Sequence, residues 1–103
     1  MINLLEKNLA ELEDICRRRQ VRRLAVFGSA SRDDFVPETS DIDLIVDFLP
    51  MPPRQHADCY FNLLSDLENL LGFPVDLVEE EPIKNPFFKQ EIEVTEVQLY
   101  EAA

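Results

Sequence analysis

Two aspartates two positions apart, Asp41 and Asp43, stand at the start of an apolar stretch with the composition of a strand. Because residues two apart on a strand point to the same face, their carboxylates are expected to project side by side. Adjacent carboxylates repel each other, so holding both ionised requires a compensating cation. Magnesium takes oxygen ligands and is commonly held by one or two carboxylates plus substrate phosphates. The pair therefore predicts a magnesium site.

A glycine–serine pair, Gly28-Ser29, ends the predicted strand that precedes the aspartates. Glycine lets the backbone turn sharply and lets a phosphate approach its N–H, and serine adds a hydroxyl donor. Taken alone, the pair is typical of an ordinary turn. Its position just before the loop that leads to Asp41 and Asp43 favours a phosphate cradle. If the two strands are neighbours, the cradle and the metal ligands face one cleft.

A third carboxylate, Asp76, interrupts the apolar segment Val75-Asp76-Leu77-Val78. An aspartate is unfavourable in a strand and costly if it is buried without a partner. It could lie on the exposed face of an edge strand, or it could point at Asp41 and Asp43, ligate a second metal and take a proton from an attacking hydroxyl. The presence of the other two favours the second interpretation. Such a set suits two-metal nucleotidyl transfer.

The elements that must position these residues follow from hydrophobic periodicity and from proline and glycine. Helices are predicted over residues 2–19 and about 55–71, with Gly72 as the cap of the second, and strands over residues 22–28, 41–48 and 74–79. Residues 29–40 are predicted to be a loop, and Pro82 and Pro86 mark a linker.

The final stretch, residues 87–101, fits both helical spacing and an imperfect strand, and a helix is the prediction. That helix leaves Val94 and Val97 partly off the core face, either as part of a wide apolar face or as contacts for a partner. The order of elements predicts one α/β domain over residues 1–103, with a small mixed sheet flanked by helices.

Composition limits the possible functions. Twenty-one acidic residues against ten basic ones give a net charge of -11, which disfavours binding of a nucleic-acid backbone by the overall field. Half of the basic residues are clustered: Arg17, Arg18, Arg19, Arg22 and Arg23. The favoured interpretation is a helix C-terminus, where cations complement the dipole, and the alternative is a patch for phosphate or a partner.

The two cysteines, Cys16 and Cys59, and the single His56 have no metal-ligand spacing, so no structural zinc site is expected. Both cysteines are predicted to be buried thiols, and His56 to lie at a helix start or on the surface. Neither a signal peptide nor a long apolar run is seen, which predicts a cytoplasmic protein without membrane contact.

The segments Val26-Phe27-Gly28-Ser29 and Ser40-Asp41-Ile42-Asp43-Leu44-Ile45-Val46 together resemble the signature of the DNA polymerase β-like nucleotidyltransferase superfamily. The short chain, with Pro74-Val75-Asp76-Leu77-Val78 at the place of the third acidic residue, is similar to the minimal nucleotidyltransferases (MNT) of prokaryotic HEPN/MNT toxin–antitoxin pairs.

The resemblance implies a polymerase β-like fold and an antitoxin that pairs with a helical HEPN ribonuclease in a hetero-oligomer. It implies transfer of AMP from ATP to a tyrosine hydroxyl of that toxin. It also implies that Gly28 and Ser29 contact the triphosphate, that Asp41 and Asp43 bind two magnesium ions, and that Asp76 is the third catalytic carboxylate.

Two other functions stay open at this point. A small-molecule nucleotidyltransferase is disfavoured by the chain length, because it needs additional structure to shape an acceptor pocket. A binding module that blocks the toxin by contact alone would suit the acidic charge and the surface around Val94 and Val97. Direct binding of nucleic acid is not expected under any of these.

Overall fold

The computed structural model describes residues 1–32, 36, 41–80 and 85–103. The helices are α1 (Asn3–Glu6), α2 (Leu9–Arg18), α3 (Pro53–Leu71) and α4 (Pro86–Thr95), and the strands are β1 (Val21–Phe27), β2 (Ile42–Phe48), β3 (Val75–Glu79) and β4 (Val97–Glu101). A short 3₁₀ turn, Gly28–Ser31, follows β1. The three predicted strands and the central helix are confirmed, and Gly72 ends α3 with a φ of 75°.

The four strands form one sheet in the order β3-β2-β1-β4. β1 is antiparallel to both of its neighbours, whereas β2 and β3 are parallel and are joined through α3. A parallel pair needs such a crossover connection, which explains the long helix between these two strands. The predicted α/β class with a small mixed sheet is confirmed.

Alternation along the strands divides the apolar residues between two layers. Leu24 and Val26 of β1 belong to the larger core, which lies beneath α2 and α3. Ala25, Phe27 and Ile45 point the other way and form a smaller cluster with two residues of α4, Phe88 and Ile92. The rings of Phe27 and Phe88 lie 6.0 Å apart between centroids. The helices therefore cover both faces of the sheet.

The single helix predicted over residues 2–19 is wrong in one respect, because it is interrupted at Lys7 and Asn8. The Asn8 side-chain amide donates a hydrogen bond to the Leu4 carbonyl at 2.8 Å. Asparagine side chains compete with the main chain for such acceptors, and this favours a break. The helical spacing of the apolar residues, on which the prediction rests, does not reveal that competition.

The helix predicted over residues 87–101 is wrong beyond Thr95. At Glu96 the backbone becomes extended, and β4 then pairs with the edge of β1. β-branched residues at positions 94, 95 and 97 favour this change, and the unpaired edge of β1 supplies hydrogen-bond partners. Pro86, assigned to a linker from the sequence, instead begins α4 behind the capping residue Asn85. Pro82 lies outside the described residues, as do residues 33–35 and 37–40 of the predicted loop.

Most of the clustered arginines have structural partners. Arg17 and Arg18 occupy the last turn of α2, as the favoured interpretation expected. Arg19 donates to Asp66 at 2.7 Å, and Arg22 pairs with Asp47. These contacts tie the end of α2 and the start of β1 to neighbouring elements.

The remaining sequence predictions concern burial. Cys16 and Cys59 are free and buried, as expected, and burial raises the pKa of the Cys16 thiol to about 12. His56 lies in the first turns of α3, where its ring pairs with Glu79 and packs against Phe48. Within the described part of the chain, no helix has the length and apolar character needed to cross a bilayer.

Candidate active site

The sheet topology brings one end of each of three strands together. Because β1 and β2 are antiparallel, the end of β1 lies beside the start of β2, with Phe27 opposite Asp43. Because β2 and β3 are parallel, the start of β3 lies there too, with Asp43 directly opposite Asp76. Gly28 follows Phe27, so it lies at the same margin. We call this end of the sheet, where the three strand ends meet and which is defined by Gly28, Asp43 and Asp76, the carboxylate edge.

The three predicted aspartates differ in exposure. Asp43 is partly buried on the sheet face that α4 covers, whereas Asp76 and Asp41 are exposed. Asp41 directly precedes β2 rather than lying within it. Asp76 lies on an edge strand with an exposed side chain, and it also lies next to Asp43. Its role as a metal ligand and proton acceptor stays a prediction.

The electrostatic environment of Asp43 is unfavourable for its charge. The pKa of Asp43 is raised to about 6, first by burial and then by the negative charges of Asp76, Asp41 and Glu91. A carboxylate in this position is stabilised when a cation binds beside it. This environment agrees with the cation site that the spacing of the aspartates predicts, and that site stays a prediction.

Gly28 occupies a position that other residues cannot take without strain. Its φ is +69°, in the left-handed region, and a Cβ atom added here would lie 2.7 Å from Oδ2 of Asp43. Both the backbone turn and the close approach of Asp43 therefore require glycine. The missing side chain is what allows the Asp43 carboxylate to lie against the turn.

Local hydrogen bonds hold the 3₁₀ turn that carries Gly28 and Ser29. The Ser31 hydroxyl donates to the Gly28 carbonyl at 2.7 Å, and the Arg32 N–H donates to the Ser29 carbonyl at 3.2 Å. A third bond joins the turn to the N-terminus, because the Ile2 N–H donates to the Ala30 carbonyl at 2.9 Å. Ser29 itself is partly exposed at the first turn.

Two residues of α4 belong to this environment and were not predicted. The Gly28 N–H donates to Oγ1 of Thr95 at 3.3 Å, and the Thr95 hydroxyl donates to the Glu91 carbonyl at 2.9 Å. Glu91 also adds its negative charge to the field at Asp43. The spacing of four residues places Glu91 and Thr95 on one side of a helix. Nothing in the local sequence indicates that this side meets the end of β1.

The residues of the carboxylate edge fit a metal ion whose other ligands are phosphate oxygens and waters. Among the described residues, no group of three or more His, Cys, Asp or Glu side chains is arranged to hold a metal ion. Magnesium, however, is usually held by one or two carboxylates, with phosphates and waters completing its shell. Asp43 and Asp76 suit that role as oxygen donors in a region of excess negative charge. The inclusion of Asp41 stays a prediction.

The fold and the carboxylate edge define a class of enzyme. The chain matches the nucleotidyltransferase domain family over residues 9–97 and belongs to that family. It is 38% identical over 95 residues to a protein of Methanocaldococcus jannaschii named "Putative protein adenylyltransferase", covering 84% of this chain and 93% of the relative. It is 36% identical over 80 residues to the protein adenylyltransferase MntA of Thermococcus cleftensis, covering 78% and 77% of the two chains.

Solved structures agree with the fold. A structure described as a putative minimal nucleotidyltransferase is 33% identical, covers 90% of this chain and 93% of its own, and superposes with a TM-score of 0.65. A toxin–antitoxin crystal structure with AMP-PNP superposes with a TM-score of 0.70 over 92% of this chain and 74% of its own. Its identity is 22%, so it supports the fold alone. The predicted nucleotidyltransferase fold and the assignment as an enzyme are confirmed.

Proposed function

We propose that this protein is an antitoxin that neutralises a HEPN ribonuclease by transferring AMP from magnesium-bound ATP to a tyrosine hydroxyl of the toxin. The observation that carries the proposal is the pairing of Asp43 with Asp76 beside Gly28 at one margin of the sheet. Relatives named as protein adenylyltransferases, including MntA, match most of the chain and support a protein acceptor.

The residues of the chain bind and orient the nucleotide in this proposal. The Gly28 N–H and the Ser29 hydroxyl face the triphosphate as hydrogen-bond donors. The missing Cβ of Gly28 lets the Asp43 carboxylate lie close beside this turn. For the N–H to reach phosphate, it must exchange its hydrogen bond to Thr95. Asp43 and Asp76, together with Asp41, hold the magnesium ions. Bound magnesium neutralises the triphosphate and lowers the pKa of the attacking hydroxyl.

The transfer forms a bond between the tyrosine oxygen and the α-phosphorus and breaks the bond from that phosphorus to the bridging oxygen of pyrophosphate, which leaves. Asp76 accepts the proton of the tyrosine hydroxyl, because it is the exposed member of the pair and the acceptor must approach from solvent. Asp43, partly buried, keeps its charge and orients the metal.

Intact-mass measurement of the toxin tests the proposal. A HEPN ribonuclease, sought first in the reading frame adjacent to this gene, is incubated with the protein, ATP and magnesium, and a mass increase of one or more AMP groups is expected. Asp43→Asn and Asp76→Asn should each lower the transfer rate about a hundredfold or more. Asp47→Asn is the matched control, since Asp47 lies on the same strand but pairs with Arg22.

The other candidate functions predict different masses. A toxin that is inhibited but unmodified would identify an antitoxin that acts by contact alone. AMP found only on a small-molecule acceptor would identify a small-molecule nucleotidyltransferase. Either result would overturn the proposal.

A further inference from the structure

An apolar groove runs along the outside of α4. It has a volume of about 290 Å³ and is lined by Phe87, Gln90, Glu91, Val94 and Thr95; we call it the α4 groove. Phe87 is 81% exposed and Val94 is 77% exposed, more than any other large apolar side chain of the described residues. Exposed apolar surface grouped in this way marks a site of interaction with another molecule.

The helical period separates this groove from the core contact of α4. Phe88 and Ile92, four residues apart, pack on the sheet with Phe27 and Ile45. Phe87 and Val94, seven residues apart, lie together on a different side of the helix. Neither belongs to the residues that pack in the two cores. Their apolar character therefore has no role in holding α4 on the sheet.

The α4 groove adjoins the carboxylate edge through Thr95. Thr95, which lines the groove, accepts the hydrogen bond of the Gly28 N–H. Glu91, which also lines it, contributes its charge to the environment of Asp43. A molecule seated in the groove thus lies one side chain away from the place where phosphate and metal are expected to bind. The acceptor is the reactant that must be held at that position.

Charge indicates the chemistry of the occupant. Glu91 is the charged residue of the groove lining, and the whole chain carries a net charge of -11. A surface that joins an apolar side chain to neighbouring Lys or Arg residues is complementary to it, whereas an acidic or nucleic-acid surface is not.

We propose that the α4 groove docks the protein that carries the acceptor hydroxyl. An apolar side chain of that protein lies between Phe87 and Val94, and a basic side chain beside it faces Glu91. Docking here positions the acceptor hydroxyl at the carboxylate edge. This inference rests on the proposed function, because it names the surface by which the toxin substrate is recognised.

Kinetics with surface variants test the docking site. Phe87→Ser and Val94→Ser should each raise the KM for the HEPN acceptor roughly tenfold, as truncation of a central interface anchor does. The kcat at saturating acceptor and the dissociation constant of magnesium-bound ATP should stay within about twofold of wild type. Phe61→Ser is the matched control, since Phe61 is 65% exposed on α3, which covers the opposite face of the sheet.

The outcomes separate the docking site from the proposed function. Unchanged KM values in both groove variants would overturn the docking site while leaving AMP transfer intact. If wild type transfers no AMP, the proposed function fails, and the docking site is judged by the dissociation constant of the toxin complex, which the groove variants should still raise about tenfold. Sedimentation of the chain alone tests whether the groove instead binds a second copy of this chain. If the groove variants lose self-association while their affinity for the toxin is unchanged, the proposal is overturned.

Cross-linking gives a direct readout. Because Cys16 and Cys59 are buried, a thiol introduced by Val94→Cys can carry a photoreactive label selectively. The labelled protein should cross-link to one segment of the toxin, and the Phe61→Cys control should not. Equal cross-linking from both positions would contradict a specific docking site.

Discussion

Gly28 combines two requirements that are usually met by different residues. Its left-handed φ of +69° turns the chain out of β1, and its missing side chain admits Oδ2 of Asp43 to within 2.7 Å of where a Cβ would stand. Gly72 has a similar φ of +75° at the end of α3, yet a Cβ there would meet nothing within 4 Å. Comparing the same substitution at the two glycines therefore separates the cost of the left-handed backbone from the cost of crowding Asp43 at the carboxylate edge.

Gly28→Ala should lower the free energy of unfolding by about 1–3 kcal/mol, because it adds left-handed strain and displaces Asp43. It should also weaken binding of magnesium-bound ATP at least about tenfold. Gly72→Ala should cost only about 1 kcal/mol and leave nucleotide binding unchanged. Urea unfolding and calorimetric titration measure both quantities. Equal loss of nucleotide binding in the two variants would contradict a specific role for Gly28.

Asp43→Asn should stabilise the metal-free protein by about 1 kcal/mol, since it removes a charge that is partly buried and also lies among other carboxylates. The same change should remove the thermal stabilisation that magnesium and ATP give to wild type. Melting curves with and without magnesium and ATP measure both effects. Asp47→Asn, which breaks the pair with Arg22, should not stabilise the protein. A destabilised Asp43→Asn variant would show that the unfavourable environment of the Asp43 charge does not dominate its contribution to stability.

At the residue scale, the sequence predicts what depends on local spacing. Asp41 and Asp43 were predicted from the two-residue period of a strand, although Asp41 precedes β2, and Gly28 was predicted from its place at a strand end. The roles of these residues stay predictions. Glu91 and Thr95 could not be found this way. The bond from Gly28 to Thr95 spans 67 positions, and it exists only because α4 packs against β1.

Among the elements, β1 is joined to the C-terminal part of the chain through Arg23. Its guanidinium donates to Glu80, just after β3, at 3.0 Å and also pairs with Glu96, at the junction of α4 and β4. A further bond reaches Gln98 of β4 at 3.2 Å. Only 22% of the Arg23 side chain is exposed, so these interactions are partly shielded from water. Arg23 thus holds the C-terminal end of α4, which carries the α4 groove, while Phe88 and Ile92 pack the helix on the sheet.

Arg23→Ala should lower the free energy of unfolding by about 2 kcal/mol, because it leaves two carboxylates without their partner. Amide hydrogen exchange in α4 should become faster. Arg18→Ala is the control from the same arginine cluster: Arg18 is 54% exposed and pairs with Asp14 along its own helix, so a change of at most about 0.5 kcal/mol is expected. Similar losses in both variants would refute a special role for Arg23.

The C-terminal stretch shows what sequence patterns leave open at the scale of elements. Residues 87–101 fit helical spacing and strand spacing because the stretch contains both a helix and a strand. The backbone changes from helical to extended at Glu96. A single pattern over the whole stretch could not locate that change. It depends on β1 having an edge to pair with, which is a property of the assembled sheet. β1, β2, α3 and β3 were predictable because each carries its own period and is followed by a proline or glycine. The helical stretch before β1 has no such residue, and its interruption at Lys7 and Asn8 was missed.

For the whole molecule, the net charge of -11 should govern how fast a basic partner is found. The association rate with the HEPN ribonuclease is expected to fall more than about tenfold between roughly 20 mM and 500 mM NaCl, since salt screens long-range attraction. Stopped-flow mixing measures this rate. Phe87→Ser should keep the same salt dependence, because it removes an apolar contact and no charge. A salt-independent rate would contradict electrostatic steering.

If Asp43 and Asp76 act together as proposed, their direct pairing makes the rate of AMP transfer depend on the register of β3 against β2. If β3 paired one residue out of step with β2, Val75 or Leu77 would lie beside Asp43, and Asp76 would point to the opposite face. This parallel pairing is also non-local, since α3 must fold between the two strands, and such contacts tend to form late. An assay of AMP transfer on a refolded sample would therefore detect only molecules in which β3 pairs with β2 in the correct register. The helical circular dichroism signal would also include molecules in which this register is wrong.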